Sequence, residues 1–190
     1  MKQKELNIDE SRLIQLCIDG NRSAQLELYK RHYKGAYNTA LRIVCHAQEA
    51  EDVMQEAFIV AFRKLDQFSG TSAFGAWIRQ IVVNKAIDAV AHRVDFSKLE
   101  EEALQIADSE TNDEKFIFYR VDEIRKQILS LPDEPRIILS LFLFEGYDHQ
   151  EIGQILDINH NAARTRYSRA KQRLVKRLRE IGTFSINGIN

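Results

Sequence analysis

The stretch Asp148-His149-Gln150-Glu151-Ile152-Gly153-Gln154-Ile155-Leu156-Asp157-Ile158-Asn159-His160-Asn161-Ala162-Ala163-Arg164-Thr165-Arg166-Tyr167-Ser168-Arg169-Ala170 decides the fold. Asp148 offers a side-chain acceptor just ahead of a helix and Glu151 follows three residues on, which is the pattern of a reciprocal capping box. The helix it opens carries Ile152, Ile155 and Leu156. Asp157-Ile158 then makes a turn, and Asn159 is placed to cap a last helix running to about Glu180. A short helix, a tight turn with an apolar middle and a capped basic helix form the layout of a helix-turn-helix, whose second helix enters the major groove of DNA.

Residue chemistry along the last helix agrees with that layout. His160, Asn161 and Arg164 lie in its first turn, and such side chains reach base edges. Arg166, Arg169, Lys171 and Arg173 are expected to meet mostly phosphates, which position a reader without reading sequence. Between Arg164 and Arg179 there are eight cations and no acid. Ala163, Tyr167, Ala170, Leu174 and Leu178 recur at helical spacing as the buried side, which explains how the helix packs but not why the remainder is so basic.

Working upstream, a helix from about Phe116 should end at Leu131-Pro132, because a residue before proline is pushed out of helical geometry. Asp133 begins the next helix, with Pro135 in its first turn, and that helix runs to a stop at Gly146. Residues 116–180 therefore form one small helical module. Residues 94–115 precede it as an acidic joint: over 94–123 there are 10 Asp/Glu against 3 Lys/Arg, with Ser109, Thr111 and Asn112 as loop formers. That joint is expected to be a flexible linker.

Residues 10–93 are expected to form the other module, with four helices broken at Asp19-Gly20-Asn21, around Cys45 to Glu49, and at Phe68 to Ser72. From Glu51 to Leu65 the apolar stripe is Val53, Ala57, Phe58, Ala61, Phe62 and Leu65. The opposite stripe, Asp52, Gln55, Glu56, Ile59 and Arg63, sets one Ile among polar groups and suits a small docking face. The next helix, Phe74 to about Arg93, carries Phe74, Trp77, Ile78, Ile81, Val82 and Lys85 along one broad side. Gln80, Asn84 and Asp88 fall at i, i+4 and i+8 on another, a row that either reads base edges or faces water. The loop Phe68-Ser69-Gly70-Thr71-Ser72 joins an aromatic to small hydroxyl residues, a composition suited to holding one extruded base.

Composition sets the outer limits. The 190 residues are 44% hydrophobic and 29% charged, with only 8 Gly and 2 Pro, which favours an α-rich globular protein over turn-rich β architecture. The longest apolar run, Ile137 to Phe144, is far short of the roughly 20 residues of a membrane span, so a soluble, cytoplasmic protein without membrane insertion is expected. Cys17 and Cys45 form no CxxC pair and the five histidines no HExxH, so neither a metal nor a redox site is expected. With no nucleophile triad order, P-loop or GxGxxG, catalytic residues, cofactors and a small-molecule substrate are not expected either.

Taken in order, these motifs resemble the extracytoplasmic-function (ECF) group of the sigma-70 family of bacterial RNA polymerase sigma factors, over about residues 10–93 and 116–180. Asp52-Val53-Met54-Gln55-Glu56-Ala57-Phe58 is similar to region 2.2, whose polar face docks on the clamp helices of polymerase. That likeness implies core-polymerase contacts at Asp52, Gln55, Glu56, Ile59 and Arg63. Trp77-Ile78-Arg79-Gln80 with Asn84 and Asp88 is similar to regions 2.3 and 2.4, which open promoter strands and read the −10 element. The implied −10 contacts are Phe68, Ser69, Gly70, Thr71, Trp77, Arg79, Gln80, Asn84 and Asp88. Leu131-Pro132, Phe144 through Gly153, and Arg164 through Ala170 resemble region 4, which binds the −35 element and touches the polymerase flap. The implied −35 contacts are His160, Asn161, Arg164, Thr165, Arg166, Ser168, Arg169 and Arg173.

The resemblance implies a protein that makes and breaks no bond but carries core polymerase to a particular set of promoters, with an anti-sigma factor as a further partner. Ala76-Trp77 stands where primary sigma factors have a Trp pair, which implies weak melting and a narrow promoter set. Asp157 stands where the turn usually holds Gly; Asp tolerates left-handed geometry at modest cost, so the turn should survive. A stand-alone helix-turn-helix regulator is the rival reading. It predicts a dimer on a palindromic site and leaves the Asp52, Gln55, Glu56, Ile59 face without a role.

Overall fold

A computed structural model describes the backbone of residues 9–93 and 114–181 and the side chains of 9–93 and 121–181. The chain divides into two compact units with the boundary between His92 and Arg93. Both are all-α among the described residues, as expected.

The first unit holds α1 (Glu10–Ile18), α2 (Arg22–Val44), α3 (Ala47–Arg63) and α4 (Phe74–Ala91), with a 3-10 turn at Leu65–Gln67. Local chemistry sets the breaks. Gly20 takes φ +81° after α1, and Asn21 caps α2 by accepting from the Ala24 N–H at 3.0 Å. Cys45 ends α2 in the left-handed region at φ 59°, and the His46 ring then caps α3 by accepting from the Glu49 N–H.

Helices α2, α3 and α4 pack on one another and α1 lies on α2. Leu28, Ile43 and Val44 of α2 are buried with Val53, Met54 and Phe58 of α3 and Phe74, Ile78, Val82 and Val83 of α4. Each such side chain stabilises the fold by about 1.5–3 kcal/mol when fully buried. Alanines at 36, 40, 50, 57, 61 and 86 are buried between them, and their small size lets the helices approach closely. Two details depart from the sequence reading. Ile81 is only half-buried, with Val83 taking its place in the core, and Lys85 leaves the apolar side to pair with Glu56 of α3 at 3.2 Å. Cys17 is buried and Cys45 half-buried, neither in a disulfide, and burial pushes the Cys17 thiol above its ordinary range.

The second unit holds α5 (Glu114–Leu129), α6 (Asp133–Leu143), α7 (His149–Ile155) and α8 (His160–Glu180). Helix α5 begins at Glu114, so the last two residues of the expected linker are helical; the rest of it, 94–113, lies outside the described residues. Helix α8 packs against the other three, and its Ala170, Leu174 and Leu178 form a core with Ile128, Leu131 and Leu139 of the α5–α6 side. The α5–α6 corner at Pro132 is tied by Arg136, whose guanidinium is buried yet satisfied: it donates to the Leu131 carbonyl at 3.1 Å and to Asp133. No helix among the described residues is long and apolar enough to cross a membrane.

Candidate partner and nucleic-acid interfaces

Helix α3 separates its two stripes as the periodicity demands. Ala50, Val53, Met54, Ala57, Phe58 and Ala61 are buried and Phe62, expected among them, is half-buried, whereas Asp52, Gln55, Glu56, Ile59 and Arg63 are all exposed. Ile59 keeps 51% of its surface in contact with water, among charged neighbours. No described residue of the unit covers it fully, while the pairing of Glu56 with Lys85 adds a cation to the edge of the same face.

Between α3 and α4 the loop from Phe68 leads into an aromatic cluster. The Phe68 ring lies 5.2 Å from Trp77 and 5.9 Å from Phe74, and Phe74 lies 5.7 Å from Trp77. Phe74 is buried, whereas Phe68 and Trp77 are half-buried. Gly70 takes φ +70°, and the Ser69 and Thr71 hydroxyls bond each other at 2.8 Å, so the loop is a tight turn that holds its own polar groups together. Gln80, Asn84 and Asp88 stand exposed in one row along α4, with Arg79 exposed beside them. A π-surface, small hydroxyls and a row of amide and carboxylate groups on one helix can stack a displaced base and hydrogen-bond base edges.

In the second unit the helix-turn-helix is built as its sequence specifies. Asp148 accepts from the Gln150 and Glu151 N–H groups at 2.7 and 2.8 Å, and Glu151 reaches back to the Asp148 N–H at 2.8 Å. Asp157 sits at φ 51°, and Asn159 caps α8 by accepting from the Ala162 N–H at 2.8 Å. Ala163, Ala170, Leu174 and Leu178 are buried with Tyr167 partly so, and His160, Asn161, Arg164, Thr165, Ser168, Arg169 and Arg173 stand exposed. Not every cation is turned outward. Arg166, although exposed, bonds Glu134 of α6 at 3.0 Å, and Arg177 donates to the Ser130 carbonyl at 2.9 Å, so both help seat α8 on its own unit.

Two supports of this site are absent from the sequence reading. Gly153 is buried in α7 where α8 approaches: a Cβ added there would lie 2.7 Å from the Ile158 carbonyl oxygen. Its signal was a glycine inside an otherwise apolar-periodic helix. The other support is a ring stack of Phe142, His149 and Tyr167, with centroids 4.3–5.1 Å apart, that joins α6, α7 and α8.

Two small helical units, one with a half-open aromatic cluster and the other with a capped helix-turn-helix, define a protein that handles nucleic acid. The sigma-70 region 2 family model matches residues 28–94 and the sigma-70 region 4 model matches residues 122–174. The ECF RNA polymerase sigma-E factor of Escherichia coli is 32% identical over 139 residues, covering 65% of this chain and 71% of the relative. The ECF RNA polymerase sigma factor SigW of Bacillus subtilis is 27% identical over 173 residues, covering 85% and 92%. In fold, the chain is similar to the sigma factor RpoE of Bartonella quintana, solved in complex with the anti-sigma factor NepR, with a TM-score of 0.60, 21% identity and coverage of 80% and 95%. It is also similar to CnrH, solved in complex with the cytosolic domain of CnrY, with a TM-score of 0.54, 21% identity and coverage of 89% and 96%. The chain belongs to the sigma-70 family, in its ECF group, and its function is to direct core RNA polymerase to specific promoters for transcription initiation.

Proposed function

We propose that the labour is divided among three faces. The exposed stripe of α3, Asp52, Gln55, Glu56, Ile59 and Arg63, docks on the polymerase clamp helices, burying the apolar Ile59 side chain that stands open among its polar groups. The cluster of Phe68 and Trp77, the Ser69-Gly70-Thr71 turn, and Arg79, Gln80, Asn84 and Asp88 of α4 open and read the −10 element. Helix α8 reads the −35 element with His160, Asn161, Arg164, Thr165 and Ser168 and holds phosphates with Arg169 and Arg173. Arg166 belongs to the same surface with part of its charge already engaged by Glu134. The second unit also touches the polymerase flap. No bond is made or broken by this chain, and its site of action is the cytoplasm.

Inhibition by an anti-sigma factor completes the reading, supported by the similarly folded sigma factor RpoE of Bartonella quintana, which was solved in complex with the anti-sigma factor NepR. Holding both units on one promoter is what gives affinity: core polymerase fixes them in place, and their contributions then combine through effective concentration. The observation that carries the proposal is the solvent-facing Ile59 in the middle of a polar helix stripe. Gel shift on promoter DNA with and without core enzyme tests it. Tight binding is expected only with core enzyme present and not with Ile59→Asp; tight, salt-sensitive promoter binding by the free chain would overturn the proposal.

A further inference from the structure

The aromatic cluster is held from behind by groups outside the three faces. Nε2 of His32, in the middle of α2, lies 3.0 Å from Oε2 of Glu10, the first residue of α1. A carboxylate only accepts, so the imidazole N–H donates. The same ring meets Phe74 edge-on, with centroids 5.0 Å apart and planes at 62°. Its Nδ1 edge lies against the first turn of α4, where a Cβ on Gly75 would come within 3.3 Å. Phe74 in turn is 1% exposed and touches both Phe68 and Trp77. A single imidazole therefore links α1 to the start of α4 and backs the ring on which the two half-buried aromatics rest.

We infer that Glu10 and His32 are positioning residues for promoter opening: the Glu10–His32 bond sets the imidazole that fixes Phe74, and through Phe74 the stance of Phe68 and Trp77. This rests on the reading that Phe68 and Trp77 act at the −10 element. With the bond lost, the imidazole gains a second rotamer, Phe74 loses its backing, and the cluster is no longer preorganised before DNA arrives. The bond is half-buried, with His32 and Glu10 side chains 18% and 35% exposed, so its loss should weaken preorganisation without unfolding the unit.

The test uses holoenzyme assembled from core polymerase and the full chain, with 2-aminopurine fluorescence in the −10 non-template strand reporting opening. His32→Phe keeps a ring against Phe74 but removes the bond to Glu10, and Glu10→Ala removes it from the other side. Each is expected to slow opening of duplex promoter by about three- to tenfold, the range of one net hydrogen bond. The double variant should be no slower than either single one, because both break one interaction. Glu10→Gln, which keeps an acceptor oxygen, should open close to the wild-type rate, and all variants should recover on a promoter already unpaired across −10.

Wild-type opening by Glu10→Ala or His32→Phe would overturn the inference, as would multiplying effects or an equal defect on the pre-opened template. If either variant loses core binding or its thermal transition, the role is structural and the inference also falls. Trp77→Ala separates the two levels. If it too opens duplex normally, the −10 reading fails; if it slows opening while Glu10→Ala does not, only the positioning role is lost.

Discussion

Replacing Gly153 by Ala should damage the second unit by an amount that its geometry sets. The new Cβ would stand 2.7 Å from the Ile158 carbonyl oxygen, where carbon–oxygen contacts ordinarily begin at about 3.3 Å. Its neighbour is backbone, and that turn is closed by the Ile158 N–H bonding the Gly153 carbonyl at 2.9 Å, so a side-chain rotation cannot relieve the clash. Overpacking of this kind costs about 1–3 kcal/mol, and the rigid neighbour puts it near the upper figure. Ala regains about 1 kcal/mol over Gly inside a helix, leaving a net loss of about 2 kcal/mol. For a unit of this size that is a fall of about 8–16 °C in its transition. Calorimetry of the full chain, with hydrogen exchange of the α7 and α8 amides, measures it. The amides of α2 to α4 should stay protected as in wild type, while −35-dependent promoter binding by holoenzyme falls, because α8 begins immediately after the displaced turn. A Gly153→Ala protein that melts at or above the wild-type temperature would refute the close-approach argument.

Further outcomes follow from other positions. Asp157→Gly, at φ 51°, relieves a left-handed non-glycine residue and should raise the second transition by the equivalent of about 0.5 kcal/mol in the same calorimetric assay. Arg169→Ala should lower the salt slope of holoenzyme binding to promoter duplex by about 0.9, the value of one phosphate contact; Arg166→Ala should lower it by less, because its guanidinium already bonds Glu134. Cys17 is buried with its thiol pushed up, so the unfolded chain ionises it at lower pH than the folded one does. Its contribution to stability is therefore complete below the ordinary thiol value of about 8.5 and is lost as pH rises through the higher folded value. Urea unfolding of wild type and Cys17→Ala should show parallel stabilities below that value and a steeper alkaline decline for wild type, and iodoacetamide should label Cys17 more slowly than Cys45.

Helix boundaries were legible wherever one residue's chemistry decides them. Asn21, Pro132, Asp148, Glu151 and Asn159 act through local caps or sterics that need no partner from elsewhere in the chain. The two stripes of α3 were legible for the same reason, since periodicity alone assigns Ile59 outward and Val53 inward. What periodicity could not give is any contact made across helices. The pairs Lys85–Glu56 and Arg166–Glu134 join residues 29 and 32 positions apart, and they move two cations from the roles their own helix suggested. Gly153 was hidden likewise, because its need for a bare Cα comes from the turn that folds back over it. The Glu10–His32–Phe74 arrangement draws on three helices, none of which marks its member as special.

Run-off transcription from a cognate promoter, with core polymerase alone, with this chain added, and with Ile59→Asp, bears most directly on the assignment. Ile59 is 51% exposed, so the substitution leaves the fold intact, while a carboxylate forced into a closed apolar contact costs several kcal/mol and lowers core affinity by at least a hundredfold. The account predicts promoter-specific transcript with the wild-type chain and none with core alone or with Ile59→Asp. Full transcript from Ile59→Asp, or none with the wild-type chain at any promoter that it binds with core enzyme, would contradict it.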